Sequence, residues 1–142
     1  MKKTLLLTTS LLLAACQDTP DVASANQAQA SNPKIAAGKQ IYNDNCLACH
    51  GVKGAGTVTD WQKPGADGKY PPPPLNGSAH TWHHNLKALK GTIDRGGIPL
   101  GGSMPAFKDK LNDDDKNAVI AYIQSLWPAE IMDIWNKNNP ES

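Results

Sequence analysis

The sequence has 142 residues, 39% hydrophobic and 19% charged, which fits one globular domain and excludes both a two-domain chain and a wholly disordered one. Lys and Arg total 14 against 13 Asp and Glu, and Lys2 and Lys3 sit in a removable leader, so no basic surplus is left to hold a nucleic-acid backbone. One Phe, three Tyr and four Trp make a thin supply of bulky core, and three cysteines exclude a pure disulfide framework.

Met1-Lys2-Lys3 followed by the apolar run over residues 5–15 is too short for a bilayer span, which needs ~20 residues, and reads as a signal segment over residues 1–15. Leu13-Ala14-Ala15-Cys16 then resembles the lipobox of bacterial lipoproteins, in which cleavage leaves Cys16 as a lipidated N-terminus. Each buried methylene of an acyl chain contributes ~0.8 kcal/mol, and stable anchoring takes more than one chain. Residues 17–32 are rich in Ala, Gln, Ser, Asn and Asp and cannot bury enough apolar surface to order themselves. Such a tether has an end-to-end distance of ~20–24 Å. The expected organisation is a leader (1–15), an anchor and tether (16–32), a folded domain (33–128) and a tail (129–142) docked on that domain. The expected location is the periplasmic side of the cell envelope, with the membrane as a partner through Cys16.

Pro33 is a first helical residue behind Asn32 or Ser31 as cap, and Ile35, Gly38, Ile41, Tyr42 and Asn45 share one helical face. Gly38 inside that face costs ~1 kcal/mol against alanine, which points to a close helix crossing. Cys46-Leu47-Ala48-Cys49-His50 follows at once. This is the attachment pattern of a c-type haem: two thiols add across two vinyl groups of one porphyrin edge, and the next residue offers iron a nitrogen donor. A zinc site would need a second ligand pair, and the domain has no further cysteine. A thioredoxin-type pair would need a strand before it, whereas the preceding segment is helical.

Residues 57–70 have no obvious place. Beyond them come Tyr70-Pro71-Pro72-Pro73-Pro74-Leu75-Asn76-Gly77, a helical stretch over residues 82–95, and Gly101-Gly102-Ser103-Met104-Pro105-Ala106-Phe107. Asn112-Asp113-Asp114-Asp115 starts the last core helix with a cap and acidic residues on the positive end of the dipole. Val119, Tyr122, Ile123 and Leu126 give that helix its apolar face, and Pro128 stops it. In this order of helix, attachment motif, proline loop, helix, Met-Pro loop and helix, residues 33–127 resemble a class I cytochrome c. The resemblance implies an all-α small cytochrome c fold whose terminal helices cross around one covalently bound haem c. It further implies Met104 as sixth iron ligand beside His50, and the Pro73 carbonyl as acceptor for the second ring N–H of His50. The implied function is a one-electron carrier between exported or membrane redox proteins, with no small-molecule substrate and no catalytic role.

The remaining candidates are less specific. Tyr70, Trp82 and Arg95 could each reach a haem propionate, as could Trp61. Phe107 and the Gly101-Gly102 pair shape the Met loop. His80, His83 and His84 suit propionate or surface contacts, an auxiliary transition metal such as copper, or displacement of Met104 at the iron. A peroxidase-like enzyme would use His83 or His84 as distal acid–base group, and a metal-handling or gas-sensing module would use the cluster itself. The segment 130–135 carries a short apolar face that packs back on the domain.

Overall fold

The structure, a computed structural model, describes residues 32–140. The Cys16 lipobox, the leader and residues 17–31 of the tether therefore lie outside the described residues. Five α-helices follow in chain order: α1 (Pro33–Asn45), α2 (Leu47–His50), α3 (Leu86–Arg95), α4 (Asp113–Gln124) and α5 (Ala129–Asn138). Short 3-10 turns lie at Val52–Gly54, Thr81–His83 and Ile98–Leu100, and the described residues contain no strand. The all-α class expected from the sequence is the one observed.

Local chemistry sets the two main helices. The Asn32 side chain accepts from the Lys34 amide at 2.9 Å, and Pro33 supplies the first helical φ. At α4 the cap is reciprocal: Asn112 Oδ1 accepts from the Asp115 amide at 2.9 Å, and Asp115 Oδ2 accepts from the Asn112 amide at 3.0 Å. Three aspartates in the first turn add a favourable interaction with the helix dipole.

α1 and α4 pack against each other, and Gly38 is where they cross. A Cβ on Gly38 would run into the carbonyl of Ala118 and lie 3.0 Å from Tyr122 Cβ. One turn on, Tyr42 is fully buried, its ring 5.2 Å from that of Tyr122. Its hydroxyl donates to the Gly51 carbonyl at 2.7 Å, which ties α1 to the chain just after His50. Burial pushes the Tyr42 phenol up to about 12, so it remains a donor throughout the working range.

Around this crossing Val119, Ile123, Trp127 and Trp135 complete the core. α5 folds back through Trp135, whose indole N–H donates to the His84 carbonyl at 2.9 Å and whose ring lies 6.1 Å from Trp127. Trp127 in turn donates to the Leu75 carbonyl at 2.8 Å. Two ion pairs, Lys90–Asp113 at 2.7 Å and Lys116–Asp94 at 2.9 Å, register α3 against α4. Both pairs stay partly open to solvent, where ion pairs contribute little energy, so their main role is alignment. No helix among the described residues is long and apolar enough to cross a membrane.

Candidate functional site

The attachment motif is one helical turn. The His50 and Cys49 amides both donate to the Cys46 carbonyl, at 2.9 and 3.1 Å, so α2 presents both sulfurs and the imidazole from a single short element. Gly51 then takes φ +76° and turns the chain away. Cys46 is half-buried and Cys49 exposed. Burial first, and the neighbouring Cys49 second, push the Cys46 thiol up to about 11, so it stays protonated at neutral pH.

His50 is 7% exposed, and its Nδ1 lies 2.9 Å from the Pro73 carbonyl oxygen. A carbonyl only accepts, so Nδ1 carries the proton and Nε2 keeps its lone pair for a metal. Burial also lowers the His50 pKa against a smaller upward pull from that carbonyl, which favours the neutral ring that a ligand requires. The carbonyl is held by its surroundings. Residues 71–74 are all proline, with φ fixed and no N–H to donate. The Leu75 and Asn76 amides donate to the Gly54 carbonyl at 2.7 and 3.2 Å, which pins the proline loop to the turn after His50.

The Met loop is built from backbone bonds. The Gly97 amide donates to the Met104 carbonyl at 3.0 Å, the Gly102 amide to the Gly97 carbonyl at 3.0 Å, and the Phe107 amide to the Ile93 carbonyl at 3.0 Å. At Gly96, where φ is +72°, a Cβ would lie 2.6 Å from the Pro105 carbonyl carbon, so only glycine closes the loop this tightly.

Cys46, Cys49, His50, Pro73, Tyr70 and Met104 all line one cavity of about 570 Å³. That volume falls inside the ~300–1,000 Å³ range of ligand clefts. Its other wall is aliphatic and includes Leu89 and Ile93 of α3 and Leu111, Val119 and Ile120 near and on α4. α3 is strongly amphipathic, yet none of its residues is buried, because Leu89 and Ile93 face this space in place of another helix. A flat apolar cofactor with two thiol-reactive substituents suits these donors and this wall.

Two expected contacts do not reach the cavity. Trp82, in the Thr81–His83 turn, packs against the core and lies 3.8 Å from the His83 ring. Arg95 is exposed, and its guanidinium folds back over Gly91 of its own helix. In their place the cavity is met by Trp61 and Gln62 of the 57–70 segment, by His80 and by His84. The segment ends where the Tyr70 amide donates to the Gly101 carbonyl at 2.9 Å, so it spans from the attachment turn to the Met loop. The aliphatic wall was readable as the i, i+4 pair Leu89 and Ile93; Trp61, a candidate haem contact by its sequence, does line the cavity. Phe107 is buried beneath the loop. Among the described residues no group of three His, Cys, Asp or Glu side chains is placed to hold a metal ion, and His80, His83 and His84 do not converge as one.

The family model for cytochrome c matches residues 35–127. The chain belongs to the cytochrome c family. Its cofactor is haem c, attached through the Cys46-x-x-Cys49-His50 motif, and haem-based electron transfer is the chemistry of the cytochrome c domain. Similar proteins include the cbb3-type cytochrome c oxidase subunit CcoP of Azospirillum sp. (strain B510), 32% identical over 78% of this chain and 34% of that protein. The subunit FixP of a cbb3-type cytochrome c oxidase from Bradyrhizobium diazoefficiens is 33% identical over 64% of the chain and 27% of its own length. Cytochrome c6 of Cladophora glomerata is 33% identical over 63% of this chain and 85% of that protein. The chain thus spans about a quarter to a third of the oxidase subunits it matches and most of the small cytochrome. No solved structure matches it.

Proposed function

We propose that this cytochrome c domain is a one-electron carrier and not an enzyme, with His50 and Met104 as the two axial ligands. The observation that carries the reading is the His50–Pro73 hydrogen bond at 2.9 Å on a cavity that Met104 also lines. Bound haem c supplies the one-electron couple of its iron. The protein does the rest. Cys46 and Cys49 fix one edge of the macrocycle, Pro73 fixes the tautomer and orientation of His50, and the Met104 thioether stabilises the lower oxidation state. The aliphatic wall keeps water from the centre, so little solvent reorganises when the charge changes.

With His50 and Met104 both holding the iron of a bound haem, no position would remain for a peroxide or other small substrate. A distal acid–base group would have to come from the histidine cluster, of which His80 and His84 line the cavity and His83 does not. Val52, Ile98 and Leu100, beside the attachment motif and in the Met loop, are 71%, 64% and 77% exposed and give a partly apolar face for transient redox partners. Those partners are exported or membrane redox proteins, and Cys16 bears the lipid that holds the domain on the periplasmic side of a membrane.

The optical spectrum of the ferric holoprotein tests the site. A weak far-red band from thioether ligation and a low-spin spectrum are expected. A high-spin spectrum without that band would overturn the carrier reading and favour a peroxidase-like centre.

A further inference from the structure

We propose that His80 and His84 form the carboxylate-holding edge of the haem site, and that a proton on this pair is coupled to the electron on the iron. The proposal rests on haem c lodging in the cavity that His50 and Met104 line. A haem held by one edge at Cys46 and Cys49 brings two propionate carboxylates at its other end. His80 and His84 are both exposed at the rim of the cavity, where carboxylates are steadied by hydrogen bonds to donors and cations. Among the described residues no lysine or arginine lines the cavity, and Arg95 points away from it. Apart from His50, whose two ring nitrogens are already used, the side chains of the wall that can become cationic are His80 and His84.

The pair is held from three sides. Trp61 stacks on the His80 ring with centroids 5.4 Å apart and planes 29° apart. His80 meets His84 edge-on at 5.6 Å. The His84 carbonyl accepts from the Trp135 indole at 2.9 Å, and the turn between the two histidines is tied to the proline loop by Thr81 Oγ1 donating to the Pro74 carbonyl at 3.4 Å.

The surrounding charges leave this pair in control. His83 lies over Trp82, outside the cavity wall. Asp60 and Lys63, flanking Trp61, pair with each other at 3.1 Å and are largely exposed. Glu130, Asp133 and Lys137 of α5 and Lys87 of α3 are exposed, and Tyr70 lines the cavity. Burial, then His84 and His83, push the His80 pKa down when no carboxylate is present. Propionates oppose that shift and bring the imidazole back toward neutral pH.

The direction of the coupling follows. Reduction adds one electron and removes one positive charge from the iron centre, so a nearby imidazolium becomes more favourable and takes its proton from water. By linkage the proton is then bound more tightly in the reduced protein, and the reduction potential falls as pH rises through the imidazole range. Site-to-site couplings of this kind amount to about fivefold or more in affinity.

The test is the reduction potential of the full-length holoprotein from about pH 5 to pH 8, after its thioether band has been recorded. The wild type and H83Q should show a falling potential, and H80Q/H84Q should be flat with the band intact. Proton NMR of the wild-type imidazoles in both oxidation states should show His80 or His84 binding its proton at least about fivefold more tightly when reduced. A flat wild-type profile, a slope that survives in H80Q/H84Q, or imidazole titrations indifferent to oxidation state would each overturn the proposal. A missing thioether band in the wild type would instead overturn the axial assignment on which it rests. If the double variant fails to attach haem, the wild-type NMR titration decides alone.

Discussion

Met104 carries a soft sulfur donor in a loop whose shape is fixed by backbone bonds, so its side chain can be removed without collapsing its support. Met104→Ala should therefore fold, because two thioether links, the His50–Pro73 bond and the α1–α4 crossing all persist. Its reduction potential should fall by a sizeable fraction of the ~0.8 V that axial ligands span, since a donor favouring the reduced state is lost. Peroxidase-like turnover should rise as the sixth position opens. Potentiometry and the far-red band check this, and an unchanged spectrum and potential would move the ligand to the histidine cluster. At this scale the attachment motif was fully legible, because the chemistry dictates the spacing. Contacts assigned by donor type alone were not. Arg95 follows Ile93 by two residues on a helix, roughly 200° around it, so a cavity-facing Ile93 already turns Arg95 outward. Trp82 was unreadable for a different reason: the 3-10 turn at Thr81–His83 sets its direction, and no periodic pattern announces that turn.

Helix crossings put opposing magnitudes on one atom. Gly38→Ala gains ~1 kcal/mol of helix propensity. It also places a Cβ against the Ala118 carbonyl, a backbone group that cannot rotate aside. Overpacking of this kind costs ~1–3 kcal/mol even when side chains can yield, so the variant should lose stability on balance. A lower denaturant midpoint of the holoprotein is the expected result, and a midpoint at or above wild type would mean that the crossing is looser than the structure indicates. α5 separates packing from hydrogen bonding. Trp135→Ala should cost about 3–5 kcal/mol, as buried Trp truncations do. Trp135→Phe keeps most of the ring contact with Trp127 and loses only the bond to the His84 carbonyl, worth ~0.5–1.5 kcal/mol. Equal losses in the two variants, compared by thermal unfolding, would contradict this division. Both main helices could be read from the sequence because cap and apolar face agree for each, with Gly38 marking the crossing on α1. The 57–70 segment could not, since it has no regular structure and its place depends on one distant bond, from Tyr70 to Gly101, and on Trp61 stacking against His80.

For the molecule as a whole, the question is how a small domain with nearly balanced charge would stay near the membrane redox partners proposed for it. Its charge gives no electrostatic hold on an anionic surface, with 14 basic against 13 acidic residues over the entire chain. No helix among the described residues can span a bilayer. A lipid on Cys16, as proposed above, would supply the missing affinity. Cys16→Ser removes the acceptor for that lipid and alters no residue of the cytochrome c domain. The variant should therefore appear in the soluble fraction of the exported material, with haem content, thioether band and reduction potential equal to wild type. Electron delivery to membrane-bound acceptors should fall, because residence near the surface is lost while the redox centre is unchanged. Fractionation after a high-salt wash checks it: an exported C16S protein that stays in the membrane pellet would show that some other contact, and not a lipid on Cys16, holds this cytochrome at the membrane.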